Sequence, residues 1–476
     1  MAVATTRQPS SSGAVGRELA ALLGPEAVLP GTASAYLTDA TEARGLKGRA
    51  DAVALPGSAE DVAAVVRWCY DHDVAIVPRG GGSGFAGGAV PLDGGVVLAL
   101  EGLARIRAFD PPWWRMQPEA GVRTGEVHRL ARENGLLFPP DPGAAEQSHI
   151  GGNIATNAGG PHAFKYGPTG AWVTGLEAVL PPGEVVSVGG PLRKDVAGYD
   201  LKSLLIGSEG TLGIVTAAWL RLVPAPEAAL PVAAFYPTVA AGCQAIAEVI
   251  GAGLQPAALE YLDRGALDAA AGSCPMAVPA AAAFLVIVEA DGTAAQARAL
   301  KHELVEVLSP GATAVHAPEL RREVAALWRW RDGVSIAVTA QRGGKVSEDI
   351  VVPLDRLRQA IEETEEIGRR HRLAACSWGH AGDGNLHSTF LVARDDPQAI
   401  AQADRAAHDL FDLALRLGGS VSGEHGLGVI KAGQLERQWS PAAVAVHDAI
   451  KRAFDPKGLL NPGKKAARLP ARSGPG

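Results

Sequence analysis

The sequence predicts an α+β protein that is built from two parts. A strand–helix–strand pattern occupies residues 51–79, and strands alternate with helices between residues 227 and 417. The Pro-rich segment LVPAPEAALP, residues 222–231, lies between these regions and marks a domain boundary. A chain of 476 residues is long enough for two or three domains with sizeable cores.

The composition is that of an ordinary soluble globular protein, with 47% hydrophobic and 20% charged residues. The net charge of -7 is spread along the chain without a basic run, which argues against nucleic acid as a partner. The four cysteines lie far apart and form no CxxC pair, so we expect a reduced, cytoplasmic protein, with peripheral membrane attachment as the alternative. The first residues lack the apolar core of a signal peptide, and the longest apolar run (279–288) is too short for a transmembrane segment.

The first part begins with a polar segment, residues 1–47, in which we expect one short helix. AVALP (52–56) then predicts a strand, SAED (58–61) a capping box, and residues 61–72 a helix. One face of this helix carries Val62, Val65, Val66 and Cys69. VAIVP (74–78) predicts a second strand, which completes a β-α-β unit.

The second strand runs directly into a glycine-rich loop, RGGGSGFAGG. Gly82, Gly84 and Gly87 fit the G-x-G-x-x-G pattern of a Rossmann dinucleotide site, with Glu101 as the candidate ribose-binding acid. However, AVPLDGG and the strand VVLAL follow the glycines, which leaves no room for the crossover helix of such a site. We therefore expect a loop whose backbone N–H groups bind phosphate in a different way.

Two further loops, residues 148–167 and 195–216, also combine glycine with small polar donors. Strand-like stretches such as VTGLEAVLP and IVTAAWLRLV flank them. One interpretation is that these are ordinary turns. The other is that the three loops together enclose a long ligand that carries a diphosphate.

The second part predicts an α+β domain whose sheet is antiparallel. Its predicted strands are VAAFY (232–236), AALEYL (257–262), AAFLVIVEA (282–290), KVSEDIVVP (345–353) and AACSWGH (374–380). Its predicted helices are residues 294–308, 353–370 and 397–417. The last helix ends at Gly418-Gly419, as expected of a helix C-cap.

Two histidines flank a tight turn in GHAGDGNLH, residues 379–387. Asp383-Gly384 favours a two-residue type I′ hairpin, which would place His380 directly opposite His387. Opposed side chains in such a ladder have Cβ atoms about 4.5–5.5 Å apart, so the two imidazoles can share one metal ion. The alternative is that one histidine only satisfies a hydrogen bond in the core. A catalytic zinc-type site takes a third protein ligand.

SGEHGLG, residues 422–428, offers the third ligand and a base. On an extended backbone adjacent side chains point to opposite faces, so Glu424 can turn toward the histidines while His425 faces a substrate. The alternative is an ordinary solvated loop.

These motifs, taken in order, resemble the FAD-dependent D-2-hydroxyacid dehydrogenases of the vanillyl-alcohol-oxidase-like fold. That family includes the flavin subunit of glycolate oxidase, D-lactate dehydrogenase and D-2-hydroxyglutarate dehydrogenase. The resemblance extends from about residue 51 to 464 and rests on PRGGGSGFAGGAVP, PPDPG, HIGGNIATNAGGPHAFKYG, DVAGYDLKSLLIGSEGTLGIVT, GHAGDGNLH, SGEHGLG and DPKGLLNPGK. It implies an N-terminal segment (1–47), a two-part FAD-binding domain (48–226), an α+β substrate or cap domain (227–417) and a C-terminal segment with a helical return to the FAD domain (418–476).

The resemblance also implies which residues hold FAD. The loop from Arg79 through Gly80, Gly81, Gly82, Ser83 and Gly84 to Phe85 would cradle the diphosphate. The flavin would be lined by Pro140, Asp141, Gly151, Gly152, Asn153, Thr156, Asn157, Gly159, Gly160, Tyr199, Asp200, Glu209, Gly210, Thr211 and Ile214. Some relatives attach FAD to a histidine in the glycine loop; Ser83 stands at that place, so we expect FAD to bind non-covalently.

For the chemistry, the resemblance assigns a divalent metal, usually zinc, to His380, His387 and Glu424. His425 would be the base and Asn385 a neighbour in the same pocket. Arg331 would hold the substrate carboxylate, with Ser335 one turn on and Lys345 as a second cation. The alternative for Arg331 is a surface ion pair with Glu323 or Asp332.

The leading expectation is a metal-assisted FAD dehydrogenase that oxidises a small D-2-hydroxy acid, such as D-lactate, glycolate or D-2-hydroxyglutarate. The alternative is a flavin-dependent alkyl-transferase of the alkyl-dihydroxyacetone-phosphate synthase type. A third hypothesis is a flavoprotein subunit with an iron-sulfur partner. The external electron acceptor would be a quinone, an electron-transfer flavoprotein or a cytochrome.

Overall fold

The computed structural model describes residues 12–468, so the polar start at residues 1–11 lies outside it. The first sheet consists of β1 (Val28–Pro30), β2 (Ala52–Ala54), β3 (Ile76–Arg79) and β4 (Val96–Ala99), in the order β1-β2-β4-β3. Helices α1 (Ser12–Leu23) and α2 (Ala59–Asp71) accompany it. β2 and β3 both run parallel to β4, and α2 connects them, which confirms the predicted β-α-β unit.

The details of this unit also follow the sequence. Ser58 caps α2 by accepting a hydrogen bond from the Asp61 amide at 3.1 Å. The four apolar residues predicted to share a face of α2 are all fully buried. Residues 80–95, between β3 and β4, form loops and turns, which confirms that the Rossmann crossover helix is missing there.

The second sheet is antiparallel throughout. Its strands are β5 (Ile106–Asp110), β6 (Arg115–Pro118), β8 (Val173–Leu180), β9 (Glu184–Gly189) and β10 (Ile214–Arg221), in the order β5-β6-β10-β8-β9; β7 (Leu136–Leu137) pairs separately with β11 (Val223–Pro224). The helices of this region are α3 (Thr124–Glu133), α4 (Ile150–Thr156), α5 (Ala163–Tyr166) and α6 (Leu201–Leu205). The three glycine-rich loops lie around α4 and the ends of β3 and β10.

The third sheet has seven strands and is antiparallel, as predicted. Its strands are β12 (Ala228–Tyr236), β13 (Ala258–Asp263), β14 (Phe284–Gly292), β15 (Ala314–His316), β16 (Gly344–Val351), β17 (Ala374–His380) and β18 (Asn385–Val392), in the order β15-β12-β14-β13-β17-β18-β16. Its helices are α7 (Val239–Gly251), α8 (Arg264–Ala270), α9 (Ala294–Leu308), α10 (Arg321–Asp332), α11 (Val334–Ala340), α12 (Leu357–Arg370) and α13 (Pro397–Arg416).

Helices cover both faces of this third sheet. Val232, Ala234 and Tyr236 of β12 join a core cluster with α7, α9 and α12. The alternate residues Ala233 and Phe235 join another cluster with α8, α10 and α11. This alternation is the period of two that a strand imposes, and it explains why β12 and β14 are apolar along most of their length.

The C-terminal segment returns to the first sheet through α14 (Leu435–Gln438) and α15 (Pro441–Phe454), as the resemblance implied. Ile76 on β3 donates its amide to the Leu459 carbonyl at 2.8 Å, and its own carbonyl accepts from the Asn461 amide at 2.7 Å. Between residues 12 and 468, the structure contains no helix long and apolar enough to cross a membrane.

Candidate active site

The turn between the two predicted metal-binding histidines is longer than the sequence indicates. β17 ends at His380 and β18 begins at Asn385, with a 3₁₀ turn at Ala381–Asp383 between them. The predicted two-residue type I′ turn is therefore wrong. His387 lies opposite Trp378, and His380 instead lies opposite Glu260 on β13.

The two histidines still lie close together, and Glu424, from a different segment of the chain, lies near both of them. Their ring centroids lie 5.3 Å apart, with the rings nearly perpendicular. Glu424 Oε1 is 3.4 Å from Nε2 of His380 and 3.4 Å from Nε2 of His387. The ligand atoms of His380, His387 and Glu424, here called the three-ligand cluster, all lie within 4.8 Å of one another.

The charges of the cluster suit a cation. Burial lowers the pKa of His387 to about 3, so at neutral pH this imidazole is uncharged and has a free lone pair. Burial alone would raise the pKa of Glu424, but the neighbouring histidines lower it to about 2. Burial likewise opposes the charge on His380, yet Glu260 and Glu424 raise its pKa well above the ordinary value. A metal ion would replace that proton.

The second nitrogens of the two histidines differ. Nδ1 of His387, whose Nε2 faces Glu424, is buried and has no hydrogen-bond partner among the described residues, whereas Nδ1 of His380 lies 2.6 Å from Glu260 Oε1. A carboxylate behind a ligating histidine fixes its ring and raises its basicity. Two histidines and one glutamate are a common donor set of catalytic zinc. The residues therefore fit the metal that the resemblance implies.

Arg331 reaches the site through Glu260. It is only 7% exposed, and its Nε donates to Glu260 Oε2 at 2.8 Å, with a second hydrogen bond from Nη2 to the same oxygen. The alternative surface ion pair with Glu323 or Asp332 is not what the structure shows. Arg331, Glu260 and His380 instead form a buried chain that ends at the three-ligand cluster.

This chain gives a testable prediction. The Glu260→Gln substitution removes the charge that orients His380 and balances Arg331, so we expect the affinity for a divalent ion to fall by about 10–100-fold. Leaving the Arg331 charge buried and unpaired should also lower the free energy of unfolding by about 3–5 kcal/mol. Zinc titration against a chelator and thermal unfolding measure the two effects. Glu306→Gln, at a side chain 68% exposed, is the control; equal metal affinities for the two variants would contradict the role of Glu260.

His425 lies beside the three-ligand cluster, on the same side of its loop as Glu424. Its ring packs 4.7 Å from that of Phe85 and 5.2 Å from that of His387, nearly parallel to the latter. Its Nε2 is 3.7 Å from Glu424 Oε1. The expectation that Glu424 and His425 face opposite sides is therefore wrong, because residues 422–426 form a curled loop and not an extended strand.

Asp349 causes this curl, and the sequence analysis did not identify it. Its Oδ2 accepts hydrogen bonds from the amides of Gly423, Glu424 and His425 at 2.9–3.0 Å and from the Ser422 hydroxyl at 2.8 Å. The side chain is fully buried on β16. Burial alone would raise the pKa of Asp349, but Lys431 and the nearby histidines lower it well below the ordinary value.

Asn385 supports the same carboxylate. Its Nδ2 donates to Asp349 Oδ1 at 2.5 Å and to the Ile350 carbonyl at 3.0 Å. A Cβ on Gly423 would overlap this nitrogen, so the close contact requires glycine. Asn385 is thus buried with its amide directed at Asp349, and its place in the substrate pocket stays a prediction.

We expect the Asp349→Asn substitution to lower kcat by about 100-fold with FAD still bound, because an error of about 1 Å in the loop misplaces both Glu424 and His425. Steady-state kinetics and the flavin content of the purified protein measure this. Ser422→Ala, which removes only one of the four hydrogen bonds, should have a much smaller effect in the same direction. Asp412→Asn, at an exposed ion pair, is the matched control. A loss confined to KM would contradict a positioning role for Asp349.

A second buried carboxylate holds the other half of this loop. Glu209 accepts hydrogen bonds from the amides of Leu427 and Gly428 at 2.9 and 2.7 Å. Its backbone φ is 55°, and its own amide donates to Ala155 on α4. Since Asp349 belongs to the third sheet and Glu209 to the glycine-rich region, residues 422–428 are fixed between both parts of the molecule.

The first glycine loop packs against the second, as expected if both contact one ligand. A Cβ on Gly80 would lie 3.4 Å from the Gly152 Cα, and one on Gly81 would overlap the Gln147 carbonyl oxygen. Around Gly84 and Gly152, by contrast, a Cβ would meet no described atom within 4 Å. The loops therefore touch at some glycines and leave open space beside others.

Arg79 and Phe85, at the ends of the first loop, point to different places. The Arg79 guanidinium donates to the carbonyls of Thr38 and Ala35 at 2.6 and 2.9 Å, next to Gly82. It thus anchors the N-terminal segment. Phe85 contacts His425, which connects the predicted diphosphate loop to the predicted base.

The second loop contains seven of the fifteen predicted flavin-lining residues, and hydrogen bonds fix several of them. Asn153 donates to Thr124, and Thr156 donates to the Gly152 carbonyl. Asn157, in the left-handed region, accepts from the Gly170 amide. A Cβ on Gly159 would lie 3.0 Å from Glu424 Oε2, and one on Gly160 would lie 2.5 Å from the Asp141 carbonyl oxygen. This loop therefore approaches the three-ligand cluster directly.

His162 links this loop to the third sheet and was not identified from the sequence. Its two ring nitrogens lie 2.5 Å from Asp141 Oδ2 and 2.9 Å from Glu289 Oε1. Burial would lower its pKa, but the two carboxylates raise it well above the ordinary value. Pro140, beside Asp141, accepts a hydrogen bond from His128.

Only part of the third glycine-rich loop, residues 195–216, lies near the other predicted flavin contacts. Thr211 is buried, Ile214 lies in the core of the first sheet, and a Cβ on Gly210 would lie 3.0 Å from Pro78. Tyr199, in contrast, is 96% exposed. Asp200, also exposed, caps α6 through the Ser203 amide. The structure does not bring these two residues to the other predicted flavin contacts.

Two family models match the chain. The FAD binding domain matches residues 50–189, and the C-terminal domain of the FAD linked oxidases matches residues 225–465. The second match begins within the Pro-rich segment, residues 222–231.

Curated relatives align along most of the chain. The glycolate oxidase subunit GlcD of Bacillus subtilis (strain 168) is 36% identical, covering 88% of this chain and 89% of the relative. D-2-hydroxyglutarate dehydrogenase of Xanthomonas citri pv. viticola is 36% identical, covering 87% and 88%. D-lactate dehydrogenase of Anaerostipes hadrus is 31% identical, covering 89% and 91%.

Solved structures agree on the fold. p-Cresol methylhydroxylase superposes with a TM-score of 0.81 at 18% identity, covering 98% of each chain. An alkyldihydroxyacetonephosphate synthase superposes with a TM-score of 0.76 at 18% identity, covering 97% of this chain and 86% of the other. These likenesses confirm the vanillyl-alcohol-oxidase-like fold. With both family models matched and relatives above 30% identity over most of its length, the chain belongs to the FAD-linked oxidase family and is an FAD-dependent oxidoreductase.

Proposed function

We propose that this protein oxidises a small D-2-hydroxy acid to the 2-oxo acid, with hydride transfer to flavin N5, a divalent metal at the three-ligand cluster and His425 as the base. The observation that carries the proposal is the convergence on Glu424. Its Oε1 lies 3.4 Å from each histidine ligand and 3.7 Å from His425 Nε2. The names of the relatives, which include glycolate, D-lactate and D-2-hydroxyglutarate enzymes, support this substrate class.

The protein's own residues then have defined tasks. When bound, FAD supplies the hydride acceptor and a divalent ion polarises the substrate hydroxyl. His425 accepts the hydroxyl proton, and the rings of Phe85 and His387 hold its imidazole in place. Asp349 and Glu209 keep the loop that carries the base at a fixed distance from both parts of the molecule.

Direct contacts of Arg331, Lys345 and Asn385 with the substrate remain predictions, as does non-covalent FAD with Ser83 in the glycine loop. Arg331 and Lys345 each already have a buried acidic partner, Glu260 and Glu42. Arg331 therefore also supports the site through His380.

Anaerobic mixing tests the proposal. The FAD-loaded protein is mixed with D-lactate, glycolate or D-2-hydroxyglutarate, and we expect at least one to bleach the oxidised flavin absorbance. L-Lactate is the matched control for the D configuration. If none of the acids bleaches the flavin, the dehydrogenase proposal is wrong and a transferase that uses flavin without net oxidation becomes the better hypothesis.

A quinone, an electron-transfer flavoprotein or a cytochrome as acceptor, and an iron-sulfur partner subunit, also remain predictions. The relative from Bacillus subtilis is named as a subunit, which is consistent with such a partner. Purification of the tagged protein from its own host, followed by iron and sulfide analysis of what accompanies it, tests the partner.

A further inference from the structure

Glu42 lies on a short N-terminal turn that packs against the third sheet. The 3₁₀ turn Glu42–Arg44 contacts β16. Arg44 Nε lies 2.8 Å from Asp404, and its Nη2 pairs with Glu348. The turn is therefore held on the third sheet from one side by Arg44 and from the other by Glu42.

The backbone of Glu42 is strained. Its φ of 58° lies in the left-handed region, which residues with a Cβ adopt only at a cost. Such strain persists where the surroundings hold the residue firmly, and it often accompanies function. Here the side chain of Glu42 keeps the backbone in place, since its Oε2 accepts a hydrogen bond from the Ser347 amide at 3.0 Å.

The other oxygen of Glu42 faces Lys345. Oε1 lies 3.3 Å from Lys345 Nζ, and the two side chains are only 14% and 4% exposed. Burial raises the pKa of Glu42, but Lys345 and the Ser347 amide oppose that effect. The pKa of Glu42 is raised overall, but its two oxygens face the Ser347 amide and the Lys345 ammonium, so the side chain pairs with Lys345 as a carboxylate.

This ion pair lines a cavity of about 330 Å³ next to the candidate active site. Phe85, which contacts His425, forms one wall, and Lys345 lies 5.0 Å from the ring of Trp378, which packs against His387. The remaining lining residues are Asp39, Ala40, Glu42, Ala43, Ser335, Ile336, Thr339, Gly344 and Arg394. The lining carries two acidic and two basic side chains, so its formal charges cancel.

Glu42 is paired with Lys345, the cation predicted to contact the substrate carboxylate, so Lys345 already has an acidic partner. Asp39 Oδ2 is buried without a hydrogen-bond partner among the described residues. A distal carboxylate that approached Lys345 would meet these like charges. An uncharged tail would instead meet the side chains of Ala40, Ala43, Phe85 and Ile336.

We propose that Glu42 is a specificity-determining residue, which makes this protein select short monocarboxylic D-2-hydroxy acids with an uncharged tail over dicarboxylic ones. The inference rests on the proposed function and narrows its substrate class. Like charges placed side by side discriminate strongly against a ligand. We therefore expect kcat/KM for D-lactate to exceed that for D-2-hydroxyglutarate by at least about tenfold.

The test compares glycolate, D-lactate, D-2-hydroxybutyrate and D-2-hydroxyglutarate with a dye acceptor, using the FAD-loaded full chain. In Glu42→Gln, kcat/KM for D-2-hydroxyglutarate should rise by about tenfold relative to that for D-lactate. Glu366→Gln, at an exposed helix ion pair, should leave the ratio unchanged. Arg394→Gln, at the exposed rim of the cavity, should also leave it unchanged.

Binding provides a readout that does not depend on turnover. Titration of the oxidised holoenzyme with pyruvate and with 2-oxoglutarate, followed by the flavin absorbance, should show tighter binding of pyruvate, and Glu42→Gln should reduce this difference.

The outcomes separate the two proposals. Oxidation of none of the four acids defeats the proposed function and this inference with it. Oxidation with a preference for D-2-hydroxyglutarate by the unchanged protein keeps the function and overturns the role of Glu42. Loss of D-2-hydroxyglutarate oxidation in Arg394→Gln alone would also overturn it, because Arg394 would then hold the second carboxylate. A Glu42→Gln variant that does not fold leaves the preference of the unchanged protein as the deciding result.

Discussion

The His425→Asn substitution is expected to slow anaerobic flavin reduction by about 10²–10⁴-fold, the range typical of a lost general base. The imidazole is the ring closest to the three-ligand cluster that does not belong to it, with Nε2 3.7 Å from Glu424 Oε1. Asparagine retains the backbone amide that donates to Asp349 at 2.9 Å. The loop should therefore keep its shape, and only the proton acceptor is lost.

FAD content and metal content should both stay at the level of the unchanged protein, because His425 is assigned to neither site. Stopped-flow absorbance with a substrate that bleaches the unchanged protein measures the rate. His302→Asn, at a side chain 77% exposed on α9, is the matched control. In a plot of rate against pH, the rise that reflects deprotonation of the base should also disappear. Flavin reduction at an unchanged rate would assign the base to another residue.

The fold was predictable because its signals are local. The N-cap of α2 at Ser58 and the apolar face of this helix each depend on neighbouring residues, and both appear in the structure. The three-ligand cluster also rests on short motifs, since GHAGDGNLH contains His380 and His387 and SGEHGLG contains Glu424. The α+β character and the antiparallel sheet of the second part were also predicted, and the third sheet has both.

The register of that hairpin was not predictable from Asp-Gly alone. A Cβ on Gly384 would overlap the Val352 carbonyl oxygen, so this glycine serves a tertiary contact. The dipeptide that favours a two-residue turn is used here inside a longer one. His380 and His387 nevertheless meet, because Glu424 and the neighbouring strand β13 supply the geometry that the turn does not.

The residues that support the site were missed for a common reason. Asp349, Glu260 and Glu42 act on partners that are 71 to 305 positions away in the sequence. One signal was available: KVSEDIVVP and AALEYL each place a carboxylate in an apolar strand, and a buried carboxylate requires donors. That signal shows that partners exist, but the sequence does not identify them.

The second large effect is expected at the proposed metal site, the three-ligand cluster. Glu424→Gln keeps the shape of the side chain but removes the charge that both histidines face, so we expect the affinity for a divalent ion to fall by at least about 100-fold. His387→Ala should have a comparable effect, because it removes a ligand outright. Metal analysis after dialysis, set against the FAD absorbance of the same sample, measures both. His447→Ala, remote from the cluster on α15, is the matched control.

Rescue distinguishes a lost ion from a damaged fold. Because the amide oxygen that replaces the carboxylate in Glu424→Gln can still coordinate weakly, activity of this variant should recover in part when zinc or manganese is added, whereas that of His387→Ala should recover less. The unchanged protein, stripped with a chelator, should lose activity and regain it with the same ions. Full activity in the stripped protein would contradict the metal assignment, while FAD and fold would stand. His425 would then have to accept the proton of a hydroxyl that no cation polarises.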